Sequence, residues 1–122
     1  MQPLQMSQTV MNDYAARILL ATFERSASAI ELSRRFGIPI AACYRRINEL
    51  EALGLVYCEH ELPSRNGRGL QLFRSRLKSV RIALEDGRLH ARVEVGPAGI
   101  AMAAENQVQE QIVNLREPSS IA

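Results

Sequence analysis

The side chains with the clearest chemical use cluster at Tyr44, Arg45, Arg46 and Asn48. Arginine presents a planar fork of donors, and asparagine presents a donor beside an acceptor. Such groups suit the exposed edges of bases, arginine matching guanine and asparagine matching adenine. Ala41 and Ala42 precede them and are small enough to admit close approach. Arg34 and Arg35 come earlier in the chain, and Arg65, Asn66 and Arg68 come later. Guanidinium groups there would hold phosphates, which position a protein without specifying a sequence. Other chemistry is thinly supplied. His60 and His90 are the only histidines, and neither stands in a nucleophile–base or metal-ligand motif. Cys43 and Cys58 form neither a CxC nor a CxxC pair, so no disulfide framework or metal site is implied. Cys43 is expected to serve as a small apolar residue. No catalytic residue, metal or cofactor is expected, and an enzyme is the least favoured class.

The elements that must carry these residues are legible around them. Residues 28–56 read SAIELSRRFGIPIAACYRRINELEALGLV. Ser28 is a good N-cap, and Glu31 follows at the capping-box spacing. Ala29, Leu32, Ser33 and Phe36 then share one helical face. Gly37 ends that helix, and Pro39 opens the next, where its missing N–H matters little. The second helix, about residues 39–53, stops at Gly54. Its inner stripe is Cys43, Ile47 and Leu50. Ala41, Arg45, Asn48 and Ala52 fall opposite, with Tyr44 beside them, and Glu49 and Glu51 come only later. A small and basic outer face is what a helix entering the major groove needs.

The flanks follow from the same reasoning. Residues 1–12 are polar and glutamine-rich, which predicts a disordered arm, and a later methionine could be the true start. Residues 14–24 predict a helix capped by Asn12 or Asp13, with Tyr14, Ile18, Leu19, Thr22 and Phe23 inward. Residues 55–61 and 70–76 predict two strands joined by the turn LPSRNGRG. Arg65, Asn66 and Arg68 lie at its tip, and its glycines would let the backbone approach a phosphate. Residues 79–95 form a second hairpin around Asp86-Gly87. Pairing outward sets Leu84 opposite Leu89, Ile82 opposite Ala91, and Val80 opposite Val93. That apolar face must be covered, by the rest of the chain or by a second copy. After the break at residues 96–99, apolar residues at three- and four-residue steps over 100–116 predict a helix, serving a dimer or held as a loose tail.

The helix pair, with Leu32, FGIP at 36–39, YRRI at 44–47 and LEALGLV at 50–56, resembles a winged helix-turn-helix. The resemblance is to small bacterial and archaeal transcription regulators of the arsenic-repressor-like and related groups, over roughly residues 13–76. It implies an α+β fold: a three-helix core and a hairpin wing. The second hairpin (77–95) and a C-terminal helix or tail (96–122) would follow. It implies sequence-specific binding to double-stranded DNA, usually as a homodimer. The alternative is a winged-helix protein-interaction module within a transcription or replication assembly, which would carry an apolar or acidic third helix.

Composition agrees in its distribution more than in its total. The formal net charge is only +2 over 122 residues. Residues 14–81 carry +6, however, and residues 82–122 carry −3. At 47% apolar and 23% charged, the chain can bury a core. No apolar run is long enough to span a membrane, and no signal peptide is visible, so a cytoplasmic, nucleoid-associated protein is expected. No effector is indicated.

Overall fold

Ile18, Leu32, Cys43, Ile47, Leu50 and Leu55 are sealed from solvent, and the helical half is assembled around them. The computed structural model describes residues 3–63, 69–97 and 107–114. Its helices are α1 (Pro3–Val10), α2 (Asp13–Glu24), α3 (Ala29–Phe36) and α4 (Ile40–Ala52). Its strands are β1 (Val56–Leu62), β2 (Leu70–Ser75), β3 (Leu77–Glu85), β4 (Arg88–Val95) and β5 (Gln107–Asn114). The fold is α+β. Helices α2 to α4 and the hairpin β1-β2 form the expected winged arrangement, and β3-β4-β5 form a second antiparallel sheet.

Local chemistry sets the helix ends. Asn12 accepts from the Ala15 amide at 3.1 Å and starts α2. Ser28 accepts from the Glu31 amide at 3.1 Å and starts α3. The Glu31 carboxylate meets Arg25 at 3.4 Å. Gly37 ends α3 in the left-handed region (φ 65°), where a side chain would be strained. Ala27 exchanges backbone hydrogen bonds of 3.0 and 2.8 Å with Phe73, which ties the entry of α3 to β2.

Two expectations are overturned at the termini. Residues 3–10 are not a disordered arm but helix α1. Pro3, Met6 and Ser7 are buried, and with Val10 they follow helical spacing. So short a helix is stable only when packed. Its support comes from far along the chain: the Leu4 amide donates to the Gln111 side chain at 2.9 Å, and Met6 joins Val93 in the core. At the other end the expected helix over 100–116 is replaced by β5, paired along β4 from Val95↔Gln107 to Arg88↔Asn114. Val108, Glu110 and Ile112 alternate with Gln109, Gln111 and Val113, so period two competes with helical spacing here. The unpaired edge of β4 decides between them, because its backbone groups need partners. The rest of that expected segment lies outside the described residues. A smaller correction concerns α2: Phe23 is exposed, and Ala15 takes an inner position in its place.

The second hairpin has the expected register, Leu84↔Leu89, Ile82↔Ala91 and Val80↔Val93. Asp86 and Gly87 both have positive φ, as a type I′ turn requires. Helix α1 covers one end of its apolar face. Ala91 and Val93 are buried, whereas Leu84 is 70% exposed.

Two measurements follow from this packing. Ile47 is fully buried, so Ile47→Ala should lower unfolding free energy by ~2–5 kcal/mol. Arg45 is exposed, and Arg45→Ala should change it by no more than about 0.5 kcal/mol. Urea titrations of both variants check the ranking. Burial pushes the Cys43 thiol above its ordinary value, because the thiolate loses hydration. A folded value above the unfolded one means full stability below the unfolded value, lost as pH rises through the folded one. Wild type should therefore lose stability in the alkaline range relative to Cys43→Ala, by at most about 1.4 kcal/mol per pH unit.

Candidate nucleic-acid interface

Helix α4 turns Cys43, Ile47 and Leu50 into the core and leaves Ala41, Tyr44, Arg45 and Asn48 exposed. The two sets differ in chemistry as sharply as in burial. Among the described residues, the Arg45 side chain has no ion pair or hydrogen bond. Ile40 belongs with the exposed set at 44%. Sequence reasoning missed it because an apolar residue at a helix start reads as core. Its spacing of four to Tyr44 was the available signal.

Two expected members turn away. Ala42 is buried, not available for close approach. Arg46 is half-buried, and its Nη1 meets Glu49 at 3.0 Å. Its Nε is buried without a hydrogen-bond partner. The two lie four residues apart, on the flank of α4 beside the core stripe. The buried stripe is therefore wider than Cys43, Ile47 and Leu50 alone.

The turn before α4 is held by a short network. The Ile38 amide donates to the Ser33 carbonyl at 3.0 Å, and the Ser33 hydroxyl donates to the Ile38 carbonyl at 2.5 Å. Ile38 is buried, which anchors the turn. Pro39 supplies no side-chain cap, so the leading amides of α4 keep the partial positive charge of a helix start. Arg34 and Arg35 are exposed in the last turn of α3. The Arg35 guanidinium stands 5.1 Å from the Phe36 ring centre, and Arg17 stands over the same ring at 5.9 Å.

The wing rises beside this surface. β1 and β2 pair from Val56↔Ser75 to Leu62↔Leu70, with an irregularity between Cys58 and His60. Glu59 lies at that irregularity, and its carboxylate gathers the Tyr57 hydroxyl at 3.1 Å and Arg74 at 3.2 Å. Arg74 is thereby engaged inside the wing. Tyr44 shares a small hollow with Ser28, Ala29, Gly69, Leu70 and Gln71, which brings the outer face of α4 next to the returning strand. A Cβ on Gly69 would meet only the Glu61 side chain, which is exposed and can move aside. Arg65, Asn66 and Arg68 lie outside the described residues.

The described residues contain no group of three His, Cys, Asp or Glu side chains that could hold a metal, and no helix long and apolar enough to cross a membrane. The Cys43 thiol donates to the Ala29 carbonyl at 3.4 Å and is fully buried. No curated protein matches the chain. Residues 17–57, from α2 through α4 into β1, match the model of a family described as winged helix-turn-helix DNA-binding.

Proposed function

We propose that the protein is a sequence-specific transcription regulator that reads duplex DNA with α4 and acts as a homodimer. The observation that carries this is the outer face of α4, where Tyr44, Arg45 and Asn48 are exposed beside small Ala41. Arg45 and Asn48 read base edges, with Tyr44 flanking them. Ile40 and Ala41 permit close approach and offer apolar contact to a thymine methyl. Arg34 and Arg35 meet phosphates from the flank, joined by Arg65, Asn66 and Arg68 of the wing. Arg46 is left to its partner Glu49. A two-fold dimer would set half-sites ~34 Å apart on one side of the duplex.

Reading and holding separate experimentally. Wild-type affinity for its selected duplex should fall by ~10³ or more between 50 and 200 mM salt, flagged by a steep linear log–log plot. Selection on a randomised duplex library identifies the preferred site. Arg45→Ala and Asn48→Ala should relax that preference at particular positions, each by ~1–3 kcal/mol. Arg65→Ala and Arg68→Ala should weaken all sequences nearly alike and lower the salt slope by about one unit per charge. Unchanged selection by the Arg45 and Asn48 variants would remove α4 as the reader and favour a protein partner instead.

A further inference from the structure

β3 is an edge strand of its sheet, and among the described residues nothing pairs with its outer side. The hairpin turns at Asp86-Gly87, so Glu85 and Arg88 form the hydrogen-bonded pair next to the turn. Alternation gives Ala83–His90 and Arg81–Arg92 the same role. The backbone groups of Val80, Ile82 and Leu84 therefore face the open edge. Their side chains share one face, with Ile82 40% and Leu84 70% exposed. Beside the same edge runs an apolar groove of about 400 Å³, lined by Val10, Leu19, Leu20, Phe23, Leu77 and Val80. Leu20 is 78% exposed there.

An open edge carrying apolar side chains is a template for another strand. We propose that β3 docks antiparallel on β3 of a second copy, joining two three-stranded sheets into one. This rests on the homodimer reading and names its interface. Pairing about a two-fold axis sets side chains of the same face opposite each other, so only alternate registers are open. Centring on Ile82 sets Ile82 opposite Ile82, Val80 opposite Leu84, and Arg81 opposite Ala83. Lys78, at the irregularity that opens β3 and 5.4 Å from the Phe23 ring centre, then lies nearest the Asp86 turn of the second copy, on both sides of the axis. Centring on Arg81 would oppose two arginines and set Lys78 against Leu84. Centring on Ala83 would set Val80 against Asp86. Charge complementarity and apolar matching thus select the Ile82 register. About six main-chain hydrogen bonds form over residues 80–84. The hairpin tip of each copy then passes along the apolar groove of the other, and Leu84 is covered beside Val80.

Sedimentation velocity of the full chain, without DNA, tests this. Duplex binding is measured separately, so failure of the DNA reading leaves the association result standing. Wild type should form a concentration-dependent dimer. Leu84→Glu should weaken that dimer by at least about 10-fold, with unchanged far-ultraviolet circular dichroism because Leu84 is exposed. In a Cys58→Ser background, Ile82→Cys should link to itself under mild oxidation, since opposed residues in such a pair lie ~5.5 Å apart at Cα. Ala83→Cys in the same background should not. A monomeric wild type, a dimer indifferent to Leu84→Glu, or linkage of Ala83→Cys in place of Ile82→Cys overturns the proposal.

Discussion

Arg76 joins the two halves of the molecule. It is the single residue between β2 and β3, so the wing passes directly into the second sheet. Its amide donates to the Leu55 carbonyl at 2.8 Å, and its carbonyl accepts from the Gly96 amide at 2.6 Å. Its guanidinium donates to the Gly96 carbonyl at 3.1 Å and the Gly54 carbonyl at 3.3 Å. Charge-assisted bonds of this kind are stronger than neutral ones, and a planar fork fixes the direction of each. The end of α4, the end of β2 and the end of β4 thus meet at one side chain. Gly54 allows the meeting, since its positive φ of 75° turns the chain sharply out of α4.

The helical half rests on burial more than on capping. The inner positions of α2, α3 and α4 are aliphatic or small, and Thr22 enters the core only because its hydroxyl donates to the Ile18 carbonyl at 2.8 Å. Ala27 and Phe73 then close the wing against the helices through their paired backbones. The exposed residues of α4 are positioned by buried neighbours on the same helix, and Tyr44 also lines a hollow against β2. The back of this surface is packed.

Much of this was legible in the sequence where signals were local. Ser28 with Glu31, Gly37, Pro39 and Gly54 mark helix ends through backbone chemistry that any neighbourhood obeys. Asp86-Gly87 fixed a hairpin register residue by residue for the same reason. What stayed hidden depends on distant partners. Pro3, Met6 and Ser7 become a buried face only against the second sheet. Residues 107–114 carry both helical and strand periodicity, and the open edge of β4 resolves it. Within α4, Ala42 and Arg46 lay one position off the inner stripe, too close to its margin for spacing alone to place them. Ile40 was overlooked because its hydrophobicity pointed inward while its position pointed out.

The division of α4 also bears on how such a protein changes over generations. Ala41, Tyr44, Arg45 and Asn48 lie outside the packed interior, so their replacement leaves the chain folded. Cys43, Ile47 and Leu50 have no such latitude. A duplicated gene can therefore drift at the outer positions without passing through unfolded intermediates. On the proposed reading by α4, single substitutions there would change the target, while the scaffold that presents them is inherited almost unaltered.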